Sequence, residues 1–338
     1  MKTNHHSPLT ASEIGTLWGF YQKNSLLTRV TGYFMEKVED VDIREVLQLV
    51  KKEGQEALTM IEDICQSEQM AIPVGFTDED VTPSAPRLFS DAFMLEYARQ
   101  LEVASIAAAG AAIPNVTRSD ITNFLQTALQ LGMRHHDIAK ETLMEKGLYS
   151  RPPVIPAPKQ VDFVEKQNFM RGFLGEKRPL SAVEITHLFM NMQTNALGKA
   201  LMMGFAQVAK DAKVTKYLVR GKEIAHKHVE VFRSHLAEED LPGSRTWDDH
   251  VMTSSTESPF SDKLMTFHTT ALVDIGIGNY GLSTAGSPRR DIGLTYARLM
   301  AEVAAMAEDG AELMIKNAWL EQPPPAPNRK ALEKGRGG

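Results

Sequence analysis

The sequence has almost no cysteine, since Cys65 is the single cysteine among its 338 residues. An intramolecular disulfide is therefore excluded, which fits a protein of a reducing compartment. Hydrophobic residues make up 43% of the chain and charged residues 24%, a balance typical of a globular protein that buries a large core. The length allows two domains of roughly 100–200 residues each.

Long apolar runs and basic clusters are also absent. The least polar stretch, ASIAAAGAAIP at 104–114, is far shorter than the ~20 residues of a membrane-spanning helix. The N-terminal segment MKTNHHSPLT lacks the apolar core of a secretory signal. The formal net charge is −6, and Lys and Arg are scattered, which argues against a nucleic-acid partner. We therefore expect a soluble protein of the cytoplasm with no membrane span.

One phrase occurs twice in the chain. LTASEIGTLWGFYQKN at 9–24 returns as LSAVEITHLFMNMQTN at 180–195, an offset of 171 residues. The same offset aligns FSD at 89–91 with FSD at 260–262. Because solenoid repeats have periods of roughly 20–50 residues, a period of this length indicates a whole duplicated domain.

The periodicity of apolar residues predicts helices throughout. Intervals of three and four recur in four segments of each copy, as at Ile14, Leu17 and Tyr21, and no segment shows sustained polar and apolar alternation. We predict an all-α protein of two tandem ferritin-like four-helix bundles. Each bundle has one long connection, near 68–86 and 239–258.

The repeat and the prolines together predict the domain boundaries. The first four-helix bundle spans 9–150 and the second spans 180–321. Residues 151–179, which begin RPPVIPAP, form a proline-rich linker, and residues 322–338 form a proline-rich, basic tail. Proline-rich segments of this kind act as semi-rigid spacers.

The repeated phrase has a structural explanation in helix capping. Thr10 and Glu13 in the first copy, and Ser181 and Glu184 in the second, match the capping-box pattern. In that pattern the hydroxyl accepts from the third helical N–H and the glutamate accepts from the cap's own N–H. These four residues are therefore predicted to be structural caps, and catalysis is not needed to explain them.

The segment GIGNYG at 276–281 matches the G-x-G-x-x-G pattern of dinucleotide-binding proteins. That site requires a strand before the motif and a full helix after it, but Pro288 follows too soon for such a helix. The corresponding residues of the first copy are Ser105, Ala107 and Gly110, all of them small. We interpret these positions as places where helices pack closely.

Two sets of residues in the second copy are candidate metal ligands. Glu223 and His226 have the Glu-x-x-His spacing of di-iron bundles, but they lie mostly on the polar side of their helix. The first helix of each copy also has no carboxylate between its cap and its last turn, which disfavours a di-iron centre. His228, His268 and Asp274 lie on or near the core side instead.

A site at His228, His268 and Asp274 would exist only in the second bundle and would hold iron, manganese or zinc. The alternative is that these side chains are core polar groups with partners of their own. His135 and His136 are adjacent, so they cannot face the same way, and we expect them at the surface. The counterparts of the three candidates in the first copy are Ala57, Tyr97 and Val103.

Four segments carry a resemblance to a known group of proteins: LTASEIGTLW, PVGFTDEDV, TWDDHVMTSSTESPFSDKLM and the proline-rich ends. Over residues 9–325 the chain resembles an uncharacterised family of tandem ferritin-like helical bundles from spore-forming bacteria. That family is similar to the spore coat protein F family. The resemblance implies a bundle fold and a link to the spore coat, and it implies no catalytic residues.

Three functions are compatible with these observations. The first is a non-catalytic bundle protein that acts by binding or assembly, through a protein partner or self-assembly, and is associated with the spore coat. The second is a degenerate ferritin-like metal-binding protein or oxidase with one site in the second bundle. The third is a carrier for a small apolar ligand in one bundle core.

Overall fold

The computed structural model describes residues 7–173 and 177–333. Apart from two isolated β-bridges, regular structure in these ranges is helical. Each of the first four long helices has a counterpart that begins 171 residues later, which confirms the all-α class and the duplication. The helices are α1 Ala11–Lys37, α2 Val41–Ser67, α3 Asp91–Ala112, α4 Ser119–Glu145, α5 Ala182–Val208, α6 Ala212–Ala237, α7 Asp262–Ala285, α8 Arg290–Lys316 and the short α9 Arg329–Glu333.

Each half is a pair of helical hairpins joined by a long connection. In the first half α1 packs on α2 and α3 on α4, and α5 to α8 repeat this arrangement. Contacts of α2 with α3 and α4 close the first bundle, and contacts of α7 with α5 and α6 help to close the second. Residues 151–166, between the halves, contain no helix or strand. The ferritin-like class and the proposed domain limits stay predictions.

A capping box begins the first helix of each half. The Thr10 hydroxyl accepts from the Glu13 backbone N–H, and the Glu13 carboxylate accepts from the Thr10 N–H at 2.7 Å. Ser181 and Glu184 repeat this geometry, with the return bond at 2.8 Å. Both glutamate side chains are fully buried, which is unusual for a charged residue and requires several partners.

The same glutamates also fix the start of the fourth helix in each half. Glu13 accepts from the backbone N–H groups of Thr117 and Arg118 at 2.8 and 2.9 Å, and Glu184 accepts from that of Arg289 at 3.0 Å. Burial by itself raises the pKa of each carboxyl, but the hydrogen bonds outweigh it and lower the pKa of both to about 2. One carboxylate thus ties two helix N-termini together.

The two long connections pair with each other across the middle of the molecule. Val81 forms an antiparallel bridge with Phe260, and Phe89 forms one with Val251. Phe89 and Phe260 are equivalent positions of the two copies, so the arrangement approximates a two-fold axis between the halves. The connections therefore hold the bundles against each other rather than forming free loops.

Aromatic side chains continue this contact into a common core. Tyr97 and His268 are equivalent positions on α3 and α7, and the Tyr97 hydroxyl lies 3.2 Å from His268 Nε2. The Phe205 ring packs against Phe89 and Phe260, with centroid distances of 6.3 and 5.8 Å. Because buried residues of both halves form one continuous cluster, the two bundles share a hydrophobic core.

Candidate functional site

The second bundle contains a cavity of about 170 Å³, bordered by α5, α6, α7, α8 and one face of α3 from the first bundle. Apolar side chains such as Leu201, Ile224 and Val273 form most of its wall. Val103 of α3 and Ile275 of α7 also line it, and they are 36% and 42% exposed. The cavity therefore reaches solvent between α3 and α7.

One wall of this cavity carries hydrogen-bonding groups. The Tyr280 hydroxyl accepts from the Asn195 amide at 2.8 Å and lies 2.8 Å from His228 Nδ1. The other ring nitrogen of His228 lies 2.9 Å from a Glu302 carboxylate oxygen. Burial lowers the pKa of His228 below its usual value, while Glu302 opposes that shift. Both nitrogens of His228 thus have partners within the protein.

The other second-bundle candidates lie apart from His228. His268 is buried beside Tyr97, and burial lowers its pKa to about 3. Asp274 is exposed to solvent at the rim of a depression between α7 and α8, where partial desolvation of its carboxyl raises the pKa. Glu223 and His226 are exposed on α6. Within residues 7–173 and 177–333, none of these residues belongs to a group of three converging metal-ligand atoms.

The glycine motif at 276–281 lies wholly inside helix α7, so no strand precedes it. The interpretation of these glycines as close helix contacts is wrong. A Cβ added at Gly276, Gly278 or Gly281 would meet no atom within 4 Å, so no neighbouring helix presses on them. Gly276 instead borders the cavity, where the missing side chain leaves the space open.

A buried polar cluster lies in the first bundle, at positions equivalent to part of the cavity wall. It takes Glu53 from α2, Glu102 from α3 and His135 from α4, and their ligand atoms lie within 4.8 Å of one another. His135 Nδ1 is 2.6 Å from a Glu53 oxygen and 3.8 Å from a Glu102 oxygen. Helix α1, the remaining helix of this bundle, contributes Lys23, whose ammonium donates to the Ser105 hydroxyl at 2.6 Å.

The charges of this cluster depend on one another. Burial lowers the pKa of His135, but its contacts with Glu102 and Glu53 more than offset this and raise the pKa to about 9. Burial and the charge of Glu53 raise the pKa of Glu102, against the effects of His135 and Lys23. Burial also lowers the pKa of Lys23, against the attraction of both carboxylates. The cluster thus combines two acids with two bases.

The surface prediction for His135 is wrong, because its side chain is 5% exposed. The sequence did contain a signal, since Ile121, Leu125 and Ala128 lie on the same helical stripe and Ala139 continues it. Glu102 is likewise the one charged residue between Gln100 and Thr117, inside an alanine-rich helix. Such isolated charges on a core face require partners.

The offset of 171 relates the cluster and the cavity directly. Four core positions are charged or ionisable in the first bundle, and in the second all four line the cavity, three of them with apolar side chains. The pairs are Lys23 and Thr194, Glu53 and Ile224, Glu102 and Val273, and His135 and Met306.

Among the helices of the described ranges, none is both long enough and apolar enough to cross a membrane.

The curated proteins include no match to this sequence. A solved structure from Bacillus halodurans C-125, provisionally described as a spore coat protein, is 17% identical with a TM-score of 0.38. The alignment covers 46% of this chain and 98% of the chain in that structure. Its TM-score is too low to support an argument about fold or function.

A family described as "Protein of unknown function (DUF3231)" matches the chain twice, over residues 1–161 and 168–332. The two matches fall on the two helical halves, in agreement with the duplication read from the capping boxes and the helix starts. Since the matched residues make up most of the chain, the protein belongs to this family and carries two copies of its domain.

Proposed function

We propose that this protein is a non-catalytic helical-bundle protein that binds a small apolar molecule in the cavity of its second bundle. The cavity carries the proposal, because an apolar space of about 170 Å³ lies where the first bundle places ionisable side chains. Protein interiors hold few voids larger than a water molecule, so core packing alone does not account for this space.

The dimensions of the cavity suit a ligand of about one ring. An apolar cavity of about 150 Å³ in another protein stays free of water and binds benzene. The opening between Val103 and Ile275 gives such a molecule a route from solvent. The hydrogen-bonded Tyr280 and Asn195 are already paired with each other, so the ligand gains mainly from apolar burial.

The test uses indole and toluene as probes and two variants that fill the cavity from opposite walls. In Gly198→Leu the new Cβ would meet only Met202 Cε, at 3.9 Å, and in Gly276→Leu it would meet nothing within 4 Å. Both changes therefore add volume without a clash at Cβ. The matched control is Gly278→Leu, which lies on the same helix at an exposed position outside the cavity.

We expect calorimetric titration to show one probe molecule bound per unmodified chain, with the same affinity in Gly278→Leu. The two cavity-filling variants should lose binding by at least about tenfold, because the probe would have to displace a leucine side chain. Equal binding by all four proteins, or no binding to the unmodified chain, would contradict the proposal.

A second proposal concerns location. The resemblance of the repeated phrases to a spore-coat-related family supports a place in the spore coat, as opposed to free cytoplasm. Fractionation of sporulating cells of the source organism tests this. The protein should appear in coat extracts, whereas a uniform soluble distribution with none in the coat would contradict it.

A further inference from the structure

We propose that Glu53, Glu102 and His135 of the first bundle form a binding site for one divalent metal ion of the zinc, manganese and iron class. The three side chains come from three different helices and converge in the bundle interior. This site is independent of the cavity in the second bundle, and it lies in the half of the chain opposite to the predicted ligands His228, His268 and Asp274.

The spacing of the ligand atoms is close to what a metal requires. Bonds of about 2.0–2.2 Å to zinc in tetrahedral geometry hold ligand atoms about 3.4 Å apart. The observed separations from His135 Nδ1 are 2.6 Å to Glu53 and 3.8 Å to Glu102, which lie on either side of that value. All three ligand atoms lie within 4.8 Å of one another, so one ion would need only small side-chain rotations to contact them all.

Two of the converging atoms are not joined by a regular hydrogen bond. His135 Nδ1 and Glu53 Oε2 are both buried, and neither has a hydrogen-bond partner within the described chain, although they lie 2.6 Å apart. Buried polar atoms are normally hydrogen-bonded. Here the imidazole and the carboxylate face each other as an ion pair without hydrogen-bond geometry, and a metal ion that replaced the His135 proton would take both atoms as ligands.

The donor set determines the class of ion. One imidazole and two carboxylates suit zinc, manganese or ferrous iron, whereas copper(I) prefers sulfur and calcium needs six or more oxygens. Lys23 stands where α1 would have to supply another carboxylate for a two-metal centre. The site therefore takes one ion, and its three protein ligands leave a coordination position open.

Lys23 gives the proposal a distinctive consequence. Its ammonium interacts with both carboxylates, and a positive charge at that place opposes the binding of a metal cation. Lys23→Met should therefore bind the ion more tightly, by about tenfold or more, because a like charge is removed from a poorly screened site. A cluster with a purely structural role would lose stability in this variant without gaining metal affinity.

The experiment treats the unmodified full chain with chelator, removes the chelator and titrates with Zn²⁺ by calorimetry. We expect one Zn²⁺ per chain, with affinity lower by at least about tenfold in Glu102→Gln and in His135→Gln. His228→Ala is the matched control, since it removes an equally buried histidine from the other bundle, and it should bind as the unmodified chain does. Circular dichroism without metal confirms that each variant folds.

A measurement on the unmodified chain keeps the test decisive if a variant does not fold. Added Co²⁺ should give the intense visible bands of a four- or five-coordinate ion. The weak spectrum of hydrated Co²⁺ would overturn the proposal. So would Zn²⁺ binding that is unchanged in both ligand variants, or binding that is lost in His228→Ala.

Discussion

The glutamate that joins two helix starts provides a sharp test of how the fold is held together. Glu13 lies at the start of α1, and its carboxylate accepts five hydrogen bonds from Thr10, Thr117 and Arg118. Glu13→Ala removes the carboxylate that accepts all five hydrogen bonds. The exposed Glu36, also on α1, provides a matched control.

The expected cost follows from what the substitution leaves unpaired. Loss of a capping interaction costs about 1 kcal/mol, and each of the two N–H groups of Thr117 and Arg118 left without an acceptor costs about 1 kcal/mol. Glu13→Ala should therefore lower the free energy of unfolding by about 3 kcal/mol. The pKa of about 2 for Glu13, against 4.5 ordinarily, corresponds to about 3 kcal/mol at most by linkage.

Urea unfolding followed by far-ultraviolet circular dichroism at pH 7 measures this difference. Glu36→Ala should change stability by less than about 0.5 kcal/mol. The pKa of Glu13 is lowered in the folded state, so its contribution is complete above pH 4.5 and is lost as pH falls toward 2. Glu13→Gln should therefore show a weaker loss of stability over that range. Equal effects of Glu13→Ala and Glu36→Ala would refute the reasoning.

Four further predictions use the same unfolding assay. Tyr97→Phe removes the hydrogen bond to buried His268 and should lower the free energy of unfolding by about 1–2 kcal/mol. The pKa of His268 is about 3 in the folded chain and 6.5 ordinarily, so the unfolded chain binds a proton first as the pH falls. His268→Leu should therefore weaken the loss of stability between pH 6.5 and pH 3. Arg99→Met leaves buried Glu96 without its cationic partner, although the Gln100 amide still donates to it, and should cost about 3–5 kcal/mol. Glu96→Leu in the same chain should restore most of this loss, and no recovery would contradict the reasoning. Gly278→Ala, which meets no neighbouring atom, should stabilise the protein by up to about 1 kcal/mol, and a destabilisation would count against the open space described there.

Much of the fold was predictable because its signals are local in the sequence. The capping boxes at Thr10 and Ser181 mark the first helix of each half, and one offset then relates every later helix start. Apolar intervals of three and four predict which face of each helix is buried. How the long connections pair across the molecule, as at Val81 and Phe260, depends on contacts between distant segments and was not predictable.

The candidate sites were harder to predict than the fold. His228 lies on a core stripe, and its burial followed from helical spacing, but its partners Tyr280 and Glu302 come from two other helices. Which polar side chains meet depends on how helices are rotated and staggered, which intervals within one helix do not specify. His135 was predicted at the surface because it adjoins His136, although it lies on the apolar stripe of its helix.

The cavity was not predictable because an empty space has no residue type of its own. Gly276 was interpreted as a close-packing residue, and only the positions of the neighbouring helices show that its missing side chain leaves room. A comparison of the two copies nevertheless indicated that their interiors differ. Where Glu53 and Glu102 are replaced by Ile224 and Val273, a charged interior has become apolar without any obvious gain in side-chain volume.

The cavity of the second bundle is central to the proposed function, because it would hold the small apolar molecule. Mass spectrometry of organic extracts from chains purified natively from the source organism tests this directly, with Gly276→Leu and Gly278→Leu prepared in parallel. We predict one dominant apolar species at near-stoichiometric amount from the unmodified chain and from Gly278→Leu, and little from Gly276→Leu. Extracts with no enriched species, or with the same species in equal amount from all three proteins, would contradict the claim.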